Sequence, residues 1–508
     1  MLRLAARGWI HGPLCFSKEV LASSPSPQFI VQLGVPTGRF IPVNPSQNSS
    51  EMERMPTGFN VHTGSDVQSM LEVMGLHSVE QLFADVPAKV RLSRELNLPP
   101  ALSEWELMRD VRRMADMNSS VLSHSSFLGC GAYEHYIPAV VDAIVSRGEF
   151  LTAYTPYQPE MSQGLLQALF EFQVLVGRLL GRECVNCSVY DGATALAESC
   201  WMMCSASGKR RVVVAQAVWT QYREVLDTYL LPRGVQVVYV AQDPVSGMVD
   251  AAAMADLIAR GDVAGVALQS PNALGLIEDV QATAQMCSQH GALLTVCVNP
   301  LLCGWLEAPG TLGADIVVCE GQPLGLPLNA GGPYVGIIAC AKPLERYLPG
   351  RLVGRVHDLN GQLGYALVKE DREQHVARDK ATSHICSNQA LNAIRVAIHL
   401  ACLGERNFLR IAQMNAANAA RLRELLTSID GVSALRSGVH FNEFAVALPL
   451  DAANFCARMR SVGIFAGVPL EEELVGHRRG LLVAVTETKS LADLEAYVAH
   501  ARVCLRES

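Results

Sequence analysis

Residues 212–243 read VVVAQAVWTQYREVLDTYLLPRGVQVVYVAQD. The two ends, VVVAQAV and QVVYVAQD, are short β-branched runs, too brief for helices. Between them TQYREVLDTYLL places apolar side chains three and four residues apart, the spacing of a helix with one buried face. The alternation then repeats. AAAMADLIARG (251–261) reads as a helix, and VAGVALQS (263–270), ALLTVCVN (292–299), ADIVVCE (314–320) and YVGIIACA (334–341) read as strands. Near-continuous apolar strands alternating with helices imply a mostly parallel sheet covered on both faces. Ligands of such sheets sit on the loops at the carboxyl ends of the strands.

The chain has 508 residues, 50% hydrophobic and 18% charged. That suits about three domains with a large core and excludes a disordered chain. The net charge of −8 and the absence of basic runs argue against general nucleic-acid binding. No run of 18 apolar residues occurs, which argues against a spanning helix. The 15 cysteines are odd in number and scattered, as in a reducing compartment. Cys184 and Cys187 form a CxxC, and Cys200 and Cys204 a CxxxC. Both sit in runs that read as packed structure, so buried thiols compete with metal or redox work.

Residues 1–55 hold few charges, and MLRLAARGW is weakly like an organelle transit segment. They are expected to be a poorly ordered extension, whether a real leader or an upstream start. Residues 56–125 read as a helical arm, with SVEQLFADVP and LSEWELMRDVRRMADM as helices and Ser103 with Glu106 as a capping box. Residues 126–370 form the large α/β domain, and 371–508 a smaller α+β domain. The latter mixes the helices NQALNAIRVAIHLACLG and NAANAARLRELLTSI with strands in HFNEFAVALP and RRGLLVAVTE.

Two segments carry candidate chemistry. In SVYDGATALAES, Asp191 caps a helix whose first N–H groups belong to Gly192, Ala193 and Thr194. Such a start can hold a phosphate or be an ordinary capped helix. In AYTPYQPEMSQG, Tyr154, Tyr157, Gln158, Glu160 and Gln163 crowd a loop stiffened by Pro156 and Pro159. It is either a presented set of polar groups or a rigid turn.

AYTPYQPEMSQG, GADIVVCEGQPLGLPLNAGGPYVG and REQHVARDKATSHICSNQAL together closely resemble the P-protein of the glycine cleavage system. The likeness is to the alpha subunit (subunit 1) of its two-chain form and runs over about residues 57–500. It implies a pyridoxal-phosphate-dependent transferase fold of type I. It also implies an α₂β₂ assembly with a beta subunit that carries pyridoxal phosphate. That assembly decarboxylates glycine and passes the aminomethyl group to the lipoyl arm of H-protein.

Against the lysine-bearing subunits of that family, Gln322 falls where the cofactor lysine stands. Asn299 falls where an aspartate pairs with the pyridinium nitrogen. Glutamine forms no Schiff base, and an amide supplies no charge to the ring. The seven lysines, Lys18, Lys89, Lys209, Lys342, Lys369, Lys380 and Lys489, lie elsewhere. The resemblance therefore implies no catalytic residue in this chain, no metal and no covalent cofactor. Gly192, Ala193 and Thr194 are left as a vestigial phosphate site, and the tyrosine-rich loop as the substrate or partner contact. Arg372, His375, Arg378 and Lys380 are expected to line one cationic helix face. A cytoplasmic location is implied, or a mitochondrial one if the extension is a transit segment. The competing readings are a free-standing pyridoxal-phosphate enzyme, which needs a lysine after ADIVVCE, and a non-catalytic interaction or regulatory protein that keeps the fold.

Overall fold

The structure, a computed structural model, describes residues 61–506 with the exception of 93, 95, 153, 330, 386 and 387. The extension read over 1–55 lies outside the described residues. The chain divides into two compact units, the first ending at Leu102 and the second starting at Ser103.

In the first unit, helix α1 (Gly64–Val73) begins at Thr63 with a complete capping box. Leu71 is the one buried side chain among its described residues. SVEQLFADVP, expected as a helix, forms only a 3-10 turn over Val79–Phe83. Helix formation needs a packed face to offset its nucleation cost, and these apolar residues have none.

The second unit opens on α2 (Glu104–Ala115), where Ser103 and Glu106 make the capping box read from the sequence. No residue of α2 is buried. Helices α3 (Ala139–Val145) and α4 (Gln163–Leu180) follow, α4 ending on Gly181 in the left-handed conformation.

Seven strands make the main sheet: β1 (Cys184–Val185), β2 (Arg211–Ala215), β3 (Gln236–Val240), β4 (Val263–Ser270), β5 (Leu293–Val298), β6 (Ile316–Glu320) and β7 (Gly336–Cys340). Their order is β1-β7-β6-β5-β4-β2-β3. The five strands from β3 to β6 are mutually parallel; β7 runs antiparallel to both β6 and β1. Every residue of β4, β6 and β7 is buried, as strands covered on both faces require. The six long strands expected from the sequence are all present. Helices α5 (Gly192–Ser207), α6 (Thr220–Leu230), α7 (Ala251–Ile258) and α8 (Val280–Gln289) connect them.

Helix α9 (Ala390–Thr427) joins the two helices expected here into 38 residues, with a break at Gly404 (φ 64, ψ 170). Beyond it a four-stranded antiparallel sheet forms from β8 (Ser433–Ala434), β9 (Glu443–Ala447), β10 (Val468–Pro469) and β11 (Gly480–Ala484), in the order β8-β9-β11-β10. The last helix, α10 (Leu491–Arg506), packs on it. Phe127, Leu422, Phe444, Phe455 and Tyr497 share this second core.

The cationic helix face expected over 372–380 is not there. The helix is four residues long (Gln374–Ala377), and Arg378 leaves it at φ 53. Arg372 turns inward instead, donating to the carbonyls of Leu348 and Gly350.

Close approach explains the glycine that opens β7. A Cβ on Gly336 would lie 2.1 Å from the Asp191 carbonyl oxygen, whereas one on Gly148 meets nothing within 4 Å. Gly336→Ala should cost about 2–3 kcal/mol or more in thermal or urea unfolding. Gly148→Ala should stay within about 1 kcal/mol of the parent. Equal stability of the two variants would contradict this packing.

Candidate functional site

The carboxyl end of β6 is where a parallel sheet offers a ligand site. Gln322 lies there, 1% exposed. Its Oε1 accepts the Tyr133 N–H at 2.8 Å. Its Nε2 donates to the Tyr133 carbonyl at 2.8 Å and to the Leu326 carbonyl at 2.9 Å. Both amide N–H groups are thus engaged. The opposite amide orientation would set donor against the Tyr133 N–H. The side chain works as a strut between β6 and the segment around Tyr133.

Two residues earlier Glu320 ends the strand, also buried. Its carboxylate accepts three backbone N–H groups: Gly192 at 3.0 Å, Gln322 at 3.0 Å and Val335 at 3.1 Å. Burial pushes this carboxyl up to about 7, while the three donors pull it back down. The first N–H of α5 is therefore already held by an internal carboxyl group. Thr194 N–H goes to the Asp191 side chain at 2.7 Å. Gly192 has no room to move, since a Cβ there would sit 2.4 Å from the Tyr222 hydroxyl. Asp191 caps α5 as read from the sequence.

Asn299 caps a 3-10 turn (Pro300–Gly304), its Oδ1 accepting from Leu301 N–H at 3.0 Å. Its Nδ2 donates to Asn442 Oδ1 at 3.3 Å. Lys209 donates to the Val263 carbonyl, Lys342 and Lys369 pair with Glu345, and Lys489 pairs with Glu134 at 2.6 Å. Lys89 and Lys380 are exposed, and Lys18 lies outside the described residues. The residues at this strand end do not fit a covalently held pyridoxal phosphate. No amine stands at position 322, and the N–H of Gly192 and of Thr194 is each bound by a carboxylate of the chain itself.

Sequence reading missed what Gln322 is fastened to. Residues 129–136 are laced to both sheets. Glu443 of β9 accepts Cys130 N–H at 2.7 Å and the Tyr133 hydroxyl at 2.9 Å. Glu487 accepts from His135 Nδ1 at 2.9 Å and from Tyr136 N–H at 2.7 Å. Thr486 donates to the Glu134 carbonyl. Burial raises Glu443 to about 7 against those two donors. Burial also works to raise Glu487, but the adjacent His135 leaves it below the usual carboxylate range. The available signal was a charged residue closing or opening an apolar strand, as in ADIVVCE and NEFAVALP.

The tyrosine-rich loop divides in two. Gln163 is a second backbone clamp: its Nε2 donates to the carbonyls of Pro159 and Tyr365, and its Oε1 accepts Tyr365 N–H at 2.8 Å. Tyr157 accepts from Arg351 at 3.3 Å and meets the His375 ring edge-on at 6.1 Å. The loop and the 372–391 segment, distant in sequence, thus meet here. Tyr154 (76% exposed), Met161 (78% exposed), Gln158 and Glu160 point outward. Tyr154, Thr155, Arg351, Asn388 and Gln389 line a cavity of about 250 Å³. Among the described residues no group of His, Cys, Asp and Glu could hold a metal ion. No described helix is long and apolar enough to cross a membrane.

Residues 59–500 match the family described as glycine cleavage system P-protein. A relative from Desulfitobacterium hafniense, named "probable glycine dehydrogenase (decarboxylating) subunit 1", is 44% identical over 438 residues, covering 86% of this chain and 98% of the relative. A crystal structure of glycine decarboxylase (P-protein) of the glycine cleavage system, in inhibitor-bound form, superposes with a TM-score of 0.81 at 38% identity, covering 88% of this chain and 100% of that one. Glutamate decarboxylase from Lactobacillus brevis gives 0.63 at 14% identity, covering 84% and 97%, a likeness of fold alone. The fold is that of the type I pyridoxal-phosphate-dependent enzymes.

Glu443 makes the electrostatics testable. Its folded pKa lies above the ordinary 4.5, so the folded state holds its proton up to about pH 7 while the unfolded chain releases it lower. The stability this proton confers is fully present below pH 4.5 and is lost as the pH rises through 7. Glu443→Gln removes that loss. Its stability relative to the parent should therefore rise between pH 4.5 and 8, by up to roughly 3 kcal/mol. A difference independent of pH in urea unfolding would contradict the assignment.

Proposed function

The chain belongs to the glycine cleavage system P-protein family, and we propose that it is the subunit of a glycine dehydrogenase (decarboxylating) that has no cofactor lysine of its own. In this reading a beta subunit of the same fold carries pyridoxal phosphate in an α₂β₂ assembly. The assembly binds glycine, releases carbon dioxide and transfers the aminomethyl group to the lipoyl arm of H-protein. Its cofactor, when bound, supplies an electron sink. We place the complex in the cytoplasm, in keeping with 13 free thiols among the described residues.

The observation that carries the reading is the amide of Gln322. A side chain with three hydrogen bonds to backbone, in the place of a nucleophile, supports a structural role for this strand end. Filling of the α5 start by Glu320 supports it further, because a phosphate would have to displace a buried carboxylate. Two surfaces support a companion chain. Helix α2 leaves Trp105, Met108, Val111 and Met114 exposed, apolar area that soluble monomers seldom leave bare. The loop around Tyr154 and Glu160 presents polar and aromatic groups from a rigid mount clamped by Gln163. That rigidity lowers the ordering cost of reaching into a neighbour's site.

The chain's own contribution to the reaction is then to bind and orient. Tyr157, held by Arg351, fixes the loop, while Tyr154, Gln158 and Glu160 contact the glycine or the cofactor on the beta subunit. The test is glycine–bicarbonate exchange by the reconstituted complex, with assembly followed by size-exclusion chromatography. Tyr154→Ala and Glu160→Gln should each lower exchange about tenfold or more, the loss of some 1.4 kcal/mol of stabilisation, with assembly intact. Full exchange by both variants in a normal complex sinks the loop's role. Full exchange by the beta subunit alone would favour a non-catalytic interaction protein.

A further inference from the structure

Fifteen cysteines raise the question of which thiols can react, and the sheet register singles out two. Cys184 in β1 and Cys340 in β7 are direct antiparallel partners. Directly opposed residues send their side chains to the same face, with Cα atoms about 4.5–5.5 Å apart. A disulfide needs roughly 4.4–6.8 Å. Among the described residues, no other strand pairing sets cysteine opposite cysteine. Strand β1 is two residues long and lies at the edge of the sheet that the described residues form.

The surroundings of Cys184 are unlike those of the other buried thiols. Its Sγ donates to Glu345 Oε1 at 3.7 Å, and the same carboxylate takes Lys342 Nζ at 2.7 Å and Lys369 Nζ. Lys342 and Lys369 favour a thiolate at this sulfur, and the carboxylates of Glu345 and Glu183 work against it. The hydrogen bond from Cys340 does most to lower Cys184; burial opposes it, and Lys342 adds to the lowering. Burial instead raises Cys187, Cys200, Cys287 and Cys303.

We propose that Cys184 and Cys340 form a reversible redox pair, a modification site for hydroperoxides at the edge of the central sheet. The Cys184 thiolate attacks one peroxide oxygen and the O–O bond breaks. A sulfenic acid forms on Cys184, and the departing hydroxide takes a proton to become water. Cys340 sulfur then attacks Cys184 sulfur and the S–O bond breaks. The Cys340 proton leaves with the hydroxide as a second water. The two thiols lose two electrons in all, and hydrogen peroxide accepts them. The product bond fastens the two-residue edge strand covalently to β7, whose other neighbour is the strand that ends in Glu320. A dithiol reductant reverses it.

The full-length chain, titrated with hydrogen peroxide, alkylated and mapped by mass spectrometry, decides the matter. A Cys184–Cys340 linked peptide is expected at lower peroxide than any oxidation of the exposed Cys402, and dithiothreitol should abolish it. In Cys340→Ser, Cys184 should stop at the sulfenic acid and be trapped by dimedone. Recovery of both cysteines as free alkylated thiols after Cys402 is oxidised would overturn the proposal. So would the absence of a dimedone adduct on Cys184 in the variant.

Discussion

The structure depends most on one buried amide. Gln322 binds the backbone of Tyr133 in both directions and the carbonyl of Leu326, all within 2.9 Å. An unpaired buried amide group costs about 1–3 kcal/mol, so every partner is needed. The side chain is short and neutral, and its geometry closes the ring. A lysine in its place would bring a charge and three donors, with no acceptor for Tyr133 N–H. The glutamine is thus incompatible with a nucleophile and well suited to a strut. From it follow the course of residues 129–136, the seat of Glu443 and the tie between the two sheets.

Buried carboxylates complete the same region. Glu320 accepts three backbone N–H groups and Glu443 one together with the Tyr133 hydroxyl, and both rise towards neutral pH because burial disfavours their charge. Glu320 occupies the start of α5 through Gly192 N–H, where the helix dipole favours an anion. The N–H groups of Gly192 and Thr194 at that helix start are taken by side chains of the chain itself. On the reading proposed above, the chain keeps the scaffold of a cofactor enzyme while its own strand end is packed as core.

Much of this was legible beforehand. The strands of the main sheet announce themselves as apolar runs, since parallel strands are buried on both faces. Asp191 and Ser103 mark helix starts because caps are local chemistry. The absence of lysine at 322 is a matter of spelling. What Gln322 and Asn299 do instead was not legible, because their partners, Tyr133 and Asn442, are far away in sequence. Gln163 looked like a presented polar group and is a clamp, since Tyr365 is 202 residues away. The cationic helix over 372–380 failed because Arg372 finds buried carbonyls that no local pattern announces. SVEQLFADVP failed because periodicity promises a face and says nothing of a surface to receive it.

The most direct test is chemical labelling of the assembled complex. Purified with its companion, incubated with pyridoxal phosphate and reduced with borohydride, the complex can be digested and its modified lysines mapped. A single pyridoxyl-lysine is expected, on the companion, with Lys209, Lys342, Lys369 and Lys489 of this chain unmodified. A stoichiometric pyridoxyl group on any lysine of this polypeptide would contradict it.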